Sequence, residues 1–133
     1  MATMELNAEN FEKVVSASPM VMVDFWAPWC GPCRAFAPTF EKASEKHSDV
    51  VFAKVNTDEE QAIAQAFNIR SIPTLMIFRD NVVIYAEAGA LPPAGLEEVI
   101  TKAKELDMEE VMRQIKQQEE ADKAAEASEV NKS

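Results

Sequence analysis

The pattern of hydrophobic and polar positions changes its period several times along the chain. Met20 to Trp26 is a nearly continuous apolar run broken only by Asp24, and such runs are typical of strands buried on both faces of a parallel sheet. Val50 to Val55 has the same character, and the segment from about Cys33 to His47 between the two runs has helical spacing. The pattern therefore predicts a strand–helix–strand unit with a right-handed crossover.

The flanking segments predict the remaining elements. A short strand ends at Glu5-Leu6, and Asn7 is expected to cap the amphipathic helix that follows. The other expected elements are a helix over 59–67 with Asp58 as its cap, strands over 74–78 and 82–86 joined by a turn at 79–81, and a helix that begins at Pro92-Pro93. The order β-α-β-α-β-α-β-β-α predicts a three-layer α/β/α fold whose mixed, mostly parallel sheet ends in an antiparallel hairpin.

The composition changes after Lys104. Residues 105–133 contain nine acidic and four basic side chains, and Asp107 with Glu110 has the spacing of a capping box. We therefore expect a domain over residues 1–104 and an acidic helical extension over 105–133 that frays into a disordered end. The apolar side chains of the extension form a short stripe made of Met108, Val111, Met112 and Ile115.

Composition narrows the class of protein. Hydrophobic residues make up 47% of the 133 positions, which argues against global disorder, and the net charge of −10 disfavours nucleic acids and anionic membranes as partners. We see no targeting segment and no apolar run long enough to span a bilayer, so we expect a soluble cytoplasmic protein. Only two cysteines are present, too few for a disulfide-stapled secreted scaffold.

The two cysteines, Cys30 and Cys33, follow a predicted strand and open a predicted helix. The free amides and the dipole of a helix N-terminus stabilise a thiolate, so Cys30 is expected to be the nucleophile. Cys33 lies one turn later, where it can reach Cys30 and resolve a mixed disulfide. Pro32 stiffens this first turn, and Gly31 allows another backbone to approach closely.

Two other interpretations of the cysteine pair are half of a metal site and two packed thiols. A structural zinc site needs four ligands, and His47, the single histidine, is expected far down the following helix. A metal could then only bridge two chains. The Cys-X-X-Cys spacing at a strand-to-helix junction is instead the context of redox motifs, so we favour a redox function.

The sequence around the two cysteines resembles the thioredoxin family. The run from Val23 to Cys33, which ends in Trp-Cys-Gly-Pro-Cys, matches the most distinctive segment of that family. Lys54, Ser71-Ile72-Pro73-Thr74 and Gly89 occur in the family's order and spacing, and the resemblance covers about residues 3 to 104. It implies the thioredoxin fold and a protein-disulfide reductase without bound cofactor or metal. The implied partners are disulfide-containing proteins and a thioredoxin reductase, through which NADPH acts only indirectly.

The resemblance also implies roles for polar residues in the strands. Asp24 would give acid/base help when Cys33 attacks the mixed disulfide, because burial should raise its pKa. Its position alone would equally suit an aspartate that caps a strand end. Lys54 would pair with Asp24 and tune it, although it could also be a lysine that extends from a strand end to solvent.

The implied substrate groove surrounds the cysteines. Pro73 would be cis and would present the Ile72 backbone to an extended substrate, although a proline at a first strand position is unremarkable by itself. Trp29 would cover one side of the thiol, and Gly89 with Ala90 would complete the apolar rim. Simple packing for Trp29 and a strand-end glycine for Gly89 remain open from the residues alone.

Two other functions compete with the reductase. The domain could be a thioredoxin-like chaperone or assembly module that uses the C-terminal helix as its partner surface. It could also be an oxidant or isomerase, against which the Gly-Pro dipeptide argues. We expect a monomer. The sequence does not identify the substrates, the reductase or the role of residues 105–133.

Overall fold

The structure is a computed structural model that describes residues 2–131, with side chains as far as residue 128. Five strands and five helices occur within these residues. In chain order they are β1 (Thr3–Glu5), α1 (Phe11–Ala17), β2 (Met20–Trp26), α2 (Gly31–Lys46), β3 (Val51–Asn56), α3 (Gln61–Ala66), β4 (Thr74–Arg79), β5 (Val82–Ala88), α4 (Pro93–Glu105) and α5 (Met108–Asn131).

The strands form one mixed sheet in the order β1-β3-β2-β4-β5. The β1–β3 and β2–β3 pairs are parallel, whereas β4 is antiparallel to both β2 and β5. Only β4 therefore runs against the other four strands. This confirms the predicted fold, including the hairpin, whose turn residues Asp80 and Asn81 have φ angles of 51° and 66°.

Helices cover both faces of the sheet, and the alternation along β2 assigns each residue to a face. Met20 and Met22 pack in one cluster with residues of α2 and α4, including Phe40. Val21 and its alternate neighbours pack in a second cluster with Val15 of α1 and Ile63 of α3. Asp24 is two residues after Met22 on β2, so its side chain lies on the same face, which α2 covers, below the cysteines.

Two predicted helix caps are wrong in detail. The Asn7 side chain accepts the amides of Glu9 and Asn10 at 2.9 and 3.0 Å, so it caps the turn that precedes α1, and the helix itself begins at Phe11. Asp58 caps no helix. The side chain of Asn56 accepts the amide of Asp58 at 3.0 Å, and α3 begins later than predicted, at Gln61.

From Met108 to Asn131 the C-terminal extension is a single helix, α5, that is longer than we expected. The Asp107 carboxylate accepts the amides of Glu109 and Glu110 at 3.1 and 3.3 Å, which is one half of the predicted capping box. Met108 is buried, whereas every described side chain after Ile115 is exposed. The structure has helix as far as Asn131 where we expected fraying, because Ala, Glu, Gln and Lys are strong helix formers. The last two positions of the expected disordered end lie outside the described residues.

Candidate active site

Cys30 and Cys33 lie where β2 has ended and α2 begins. Cys30 is the N-cap of α2 with extended backbone, and its Sγ accepts the amide of Cys33 at 3.2 Å. Pro32 occupies the first turn of the helix, where a proline leaves no hydrogen bond unmade. The two cysteines form a disulfide with a Cα–Cα distance of 5.2 Å. The helix N-terminus therefore presents its free amides to a sulfur atom that can carry negative charge.

The loop before β4 forms the opposite wall of the site. The carbonyl oxygen of Ile72 lies 3.8 Å from Cys30 Sγ, and the Ile72–Pro73 peptide bond is cis. The amide of Gly89 donates to the Pro73 carbonyl at 2.8 Å. Gly89 has a φ of 109°, which side-chain-bearing residues rarely adopt, so the backbone favours glycine at this position. Ala90 follows it on the exposed surface.

The residues that flank the two cysteines in the Trp-Cys-Gly-Pro-Cys motif are exposed to solvent, so another polypeptide chain can reach them. Gly31 and Pro32 are exposed, and a Cβ built on Gly31 would meet no atom within 4 Å. Trp29 is 67% exposed, and its indole Nε1 donates to both carboxylate oxygens of Asp58 at 3.0 and 3.2 Å. The indole is therefore fixed in orientation although it is largely surrounded by solvent.

Asp24 is fully buried below the cysteine loop, with 0% exposure. Neither carboxylate oxygen has a hydrogen-bond partner among residues 2–128. Burial therefore raises the pKa of Asp24 from 3.8 to about 7, while the nearby charge of Lys54 acts in the opposite direction and that of Glu5 in the same direction. This carboxyl can both take up and release a proton near neutral pH.

Lys54 lies beside Asp24 but does not form the expected direct pair with it. The two residues are register partners on the parallel strands β3 and β2. Within the described side chains, no ion pair shorter than 4.0 Å joins them; the Lys54 ammonium lies instead 4.6 Å from the centroid of the Trp26 ring. Its influence on Asp24 is therefore electrostatic through space, with the aromatic ring as its contact partner.

Sequence reasoning missed two acidic residues at this site. Asp58 was expected to cap a helix, yet it binds the indole of Trp29, which is distant in sequence. Glu5 was assigned only to the end of a strand, yet it is the register partner of Lys54 on β1. No local pattern identifies either contact, because each depends on segments that the fold brings together.

Metal sites and membrane-spanning helices have structural requirements that can be compared with the described residues. Among the described side chains, residues 2–128, no group of three or more His, Cys, Asp and Glu is arranged to hold a metal ion. His47 instead contacts Glu97 at 2.7 Å and Lys104 at 2.8 Å, at the far end of α2. None of the described helices combines the length and apolar character needed to cross a bilayer.

A disulfide at a helix N-terminus, with the Ile72 carbonyl beside one of its sulfurs, can exchange with the disulfides of other chains. The fold and site thus define the class of dithiol–disulfide oxidoreductases. A family model described as Thioredoxin matches residues 2–102. This match spans most of the chain, and the chain belongs to the thioredoxin family.

Individual relatives agree with this assignment. The chain is 50% identical to "Putative thioredoxin 2" of Streptomyces coelicolor over 118 residues, which cover 89% of this chain and 88% of the relative. It is 47% identical to "Thioredoxin 1" of Synechococcus elongatus over 92 residues, or 68% of this chain and 86% of the relative. The solved structure of a mutant thioredoxin from Halobacterium salinarum superimposes with a TM-score of 0.73 at 32% identity, covering 79% of this chain and 93% of that structure. Family and cysteine pair together make this chain a protein-disulfide reductase.

Proposed function

We propose that Cys30 is the nucleophile and Cys33 the resolving thiol of this reductase. The observation that supports these roles is the position of Cys30 as the N-cap of α2, where its Sγ accepts the Cys33 amide. That donor and the helix dipole stabilise a thiolate on Cys30. Both cysteines are almost fully buried, and we place the substrate at Cys30 because its Sγ lies beside the Ile72 carbonyl.

The exchange then proceeds in two displacements. The Cys30 thiolate attacks one sulfur of a substrate disulfide, forms a mixed disulfide and releases the first substrate thiolate. Cys33 loses its proton and attacks Cys30, which releases the second substrate thiolate. The substrate disulfide gains two electrons and is reduced to two thiols, and the Cys30/Cys33 dithiol loses two electrons and becomes a disulfide. We assign the proton of Cys33 to Asp24, whose pKa of about 7 suits transfer near neutral pH.

We further propose that the substrate binds as an extended segment beside Ile72 and Pro73. The Ile72 carbonyl lies next to Cys30 Sγ, and the Gly89 amide holds the Pro73 carbonyl, so the loop offers an ordered backbone edge for strand addition. A cavity of about 190 Å³ between Trp29 and Ile72 provides room for a substrate side chain. Gly31, Pro32 and Ala90 would form the remainder of this rim.

The source of electrons and the setting are also proposals. We expect an NADPH-dependent thioredoxin reductase to reduce the Cys30–Cys33 disulfide, with NADPH binding only to that enzyme. The cytoplasm is the compartment that we assign, because reduced pyridine nucleotide and low-molecular-weight thiols keep such a pair reduced there. We expect a monomer, since the described part of the chain exposes few large apolar side chains: Met4, Trp29, Val83, Leu106 and Met112.

We propose residues 1–104 as the catalytic domain and 105–133 as an acidic extension. The family match ends at residue 102 and α4 ends at Glu105, which supports this boundary. The alternative of a chaperone module that works through α5 is not favoured by the family relationships. A chain truncated after Glu105 should retain activity within about twofold; a loss above tenfold with the fold intact would favour the alternative.

Insulin reduction tests the function directly. With dithiothreitol as reductant, the full chain should accelerate precipitation of the insulin B chain, and Cys30→Ser should abolish the acceleration. Cys33→Ser should accumulate a mixed disulfide between Cys30 and substrate, detectable by mass spectrometry under non-reducing conditions. The converse trapping pattern, with mixed disulfides on Cys33 of the Cys30→Ser variant, would reverse the assigned order of attack.

A further inference from the structure

Three adjacent strands place two carboxyl groups on either side of one lysine. Glu5 of β1 and Asp24 of β2 are both register partners of Lys54 on β3, and the three strands are parallel. Register partners on parallel strands direct their side chains to the same face. Glu5, Lys54 and Asp24 therefore form a line across the face that α2 covers, with Glu5 at the solvent edge and Asp24 fully buried.

The Trp26 side chain joins this line. The Lys54 ammonium lies 4.6 Å from the centroid of its ring, and its buried indole Nε1 has no hydrogen-bond partner of normal geometry within the described part of the chain. Burial raises the pKa of Glu5, whereas Lys54 and the Trp26 indole N–H lower it. Trp26 thus lies against both Glu5 and Lys54, and the lysine is held between two carboxyl groups without a close ion pair to either.

We propose that Glu5 is a positioning residue for disulfide exchange. Its carboxylate partly neutralises the Lys54 charge that faces Asp24, and the Asp24 carboxyl therefore holds its proton more firmly. A lysine paired with Asp24 alone would favour the ionised form of that carboxyl. The Glu5 carboxylate reduces this stabilisation and adds a like charge of its own. This inference rests on the proposed acid/base role of Asp24 and identifies what sets the pH at which that role is available.

The charged groups around Asp24 are few. Lys54 faces it from β3 and Glu5 from β1, and Glu59, before α3, acts on Glu5. The α2 residues buried over this face are uncharged, and Cys33 among them titrates only when the disulfide is reduced. At the edge of the face, the half-buried Glu41 of α2 accepts a hydrogen bond from the Thr3 hydroxyl of β1. Removal of the Glu5 charge should therefore be visible in the titration of Asp24.

The size of the effect follows from the strand spacing. Two strand separations of about 4.8 Å place Glu5 about 10 Å from Asp24. A unit charge at that distance shifts a titration midpoint by about 0.3 pH unit in water-like surroundings and by about 1 pH unit in protein-like surroundings. Glu5→Gln should lower the Asp24 midpoint by an amount in this range.

The experiment is a ¹³C NMR titration of the Asp24 side-chain carboxyl in the full-length oxidised protein at low ionic strength. Glu5→Gln and Glu5→Thr, the latter a second uncharged residue suited to a strand, should both lower the midpoint, whereas Glu5→Asp should stay near the wild-type value. Glu9→Gln is the matched control, because Glu9 is exposed in the turn before α1 and its loss changes the net charge equally. It should shift the midpoint by less than about 0.1 pH unit.

Two results would overturn the inference: an Asp24 midpoint in the uncharged Glu5 variants that matches the Glu9→Gln control, or one that rises. The role of Asp24 itself is tested separately by the pH profile of insulin reduction. If Asp24→Asn leaves that profile unchanged, the acid/base role fails. The NMR midpoints would still report whether Glu5 controls the protonation of Asp24, so the two failures are distinguishable.

Discussion

The buried carboxyl of Asp24 should make the stability of this protein fall as the pH rises. Its folded-state pKa is about 7, compared with 3.8 in the unfolded chain, so the native state binds the extra proton between these values. A raised carboxyl pKa therefore leaves stability unaffected below about pH 4 and reduces it progressively up to about pH 7. The difference of about three pH units corresponds to about 4 kcal/mol of lost stability above pH 7.

Asp24→Asn removes this penalty. Relative to wild type, the variant should gain up to about 1.4 kcal/mol of unfolding free energy per pH unit between pH 4 and pH 7, and the gain should level off near 4 kcal/mol above pH 7. The assay is urea denaturation of both oxidised proteins at a series of pH values from 4.5 to 8.5, each followed by far-ultraviolet circular dichroism. Any imperfect hydrogen bonding of the new amide adds a constant offset and does not change the slope, because the amide does not titrate.

The pH dependence is therefore the decisive quantity. A stability difference between wild type and Asp24→Asn that is the same at pH 4.5 and pH 8.5 would show that Asp24 titrates at its ordinary pKa, and the electrostatic account of the site would fail. Glu9→Gln provides the control, because an exposed carboxylate has no comparable burial penalty, and its stability difference should stay flat across this range.

Three further predictions concern the walls and the core of the site. Asp58→Ala should free the Trp29 indole, raise the KM for insulin reduction more than it lowers kcat, and change the unfolding free energy by no more than about 1 kcal/mol. Gly89→Ala should destabilise the protein by about 1 to 2 kcal/mol in urea denaturation, because its φ of 109° is strained for alanine, and equal stability would refute that reasoning. Phe40→Ala should lower the unfolding free energy by about 3 to 5 kcal/mol, because this fully buried ring packs on Phe52 between α2 and the sheet.

Much of the fold follows from local patterns. The apolar run of β2 and the turn residues Asp80 and Asn81 have direct structural counterparts, because burial and positive φ angles are properties of short segments. Helix starts were less predictable. Asn7 and Asp58 are both residue types that cap helices. Which backbone amides such a side chain reaches depends on the path of the chain after the preceding strand. At the end of β3, it is Asn56 and not Asp58 whose side chain accepts a backbone amide.

The amino-acid sequence by itself determined the reactive pair, since Cys30 and Cys33 are three residues apart and one helical turn brings them into contact. Tertiary structure alone decided what surrounds them. The line from Glu5 through Lys54 to Asp24 depends on the register of three strands, and the contact of Asp58 with Trp29 joins two loops. Local geometry acts over a few residues, whereas the fields and hydrogen bonds that set the protonation of Asp24 and the orientation of Trp29 come from groups that only the folded sheet brings within reach.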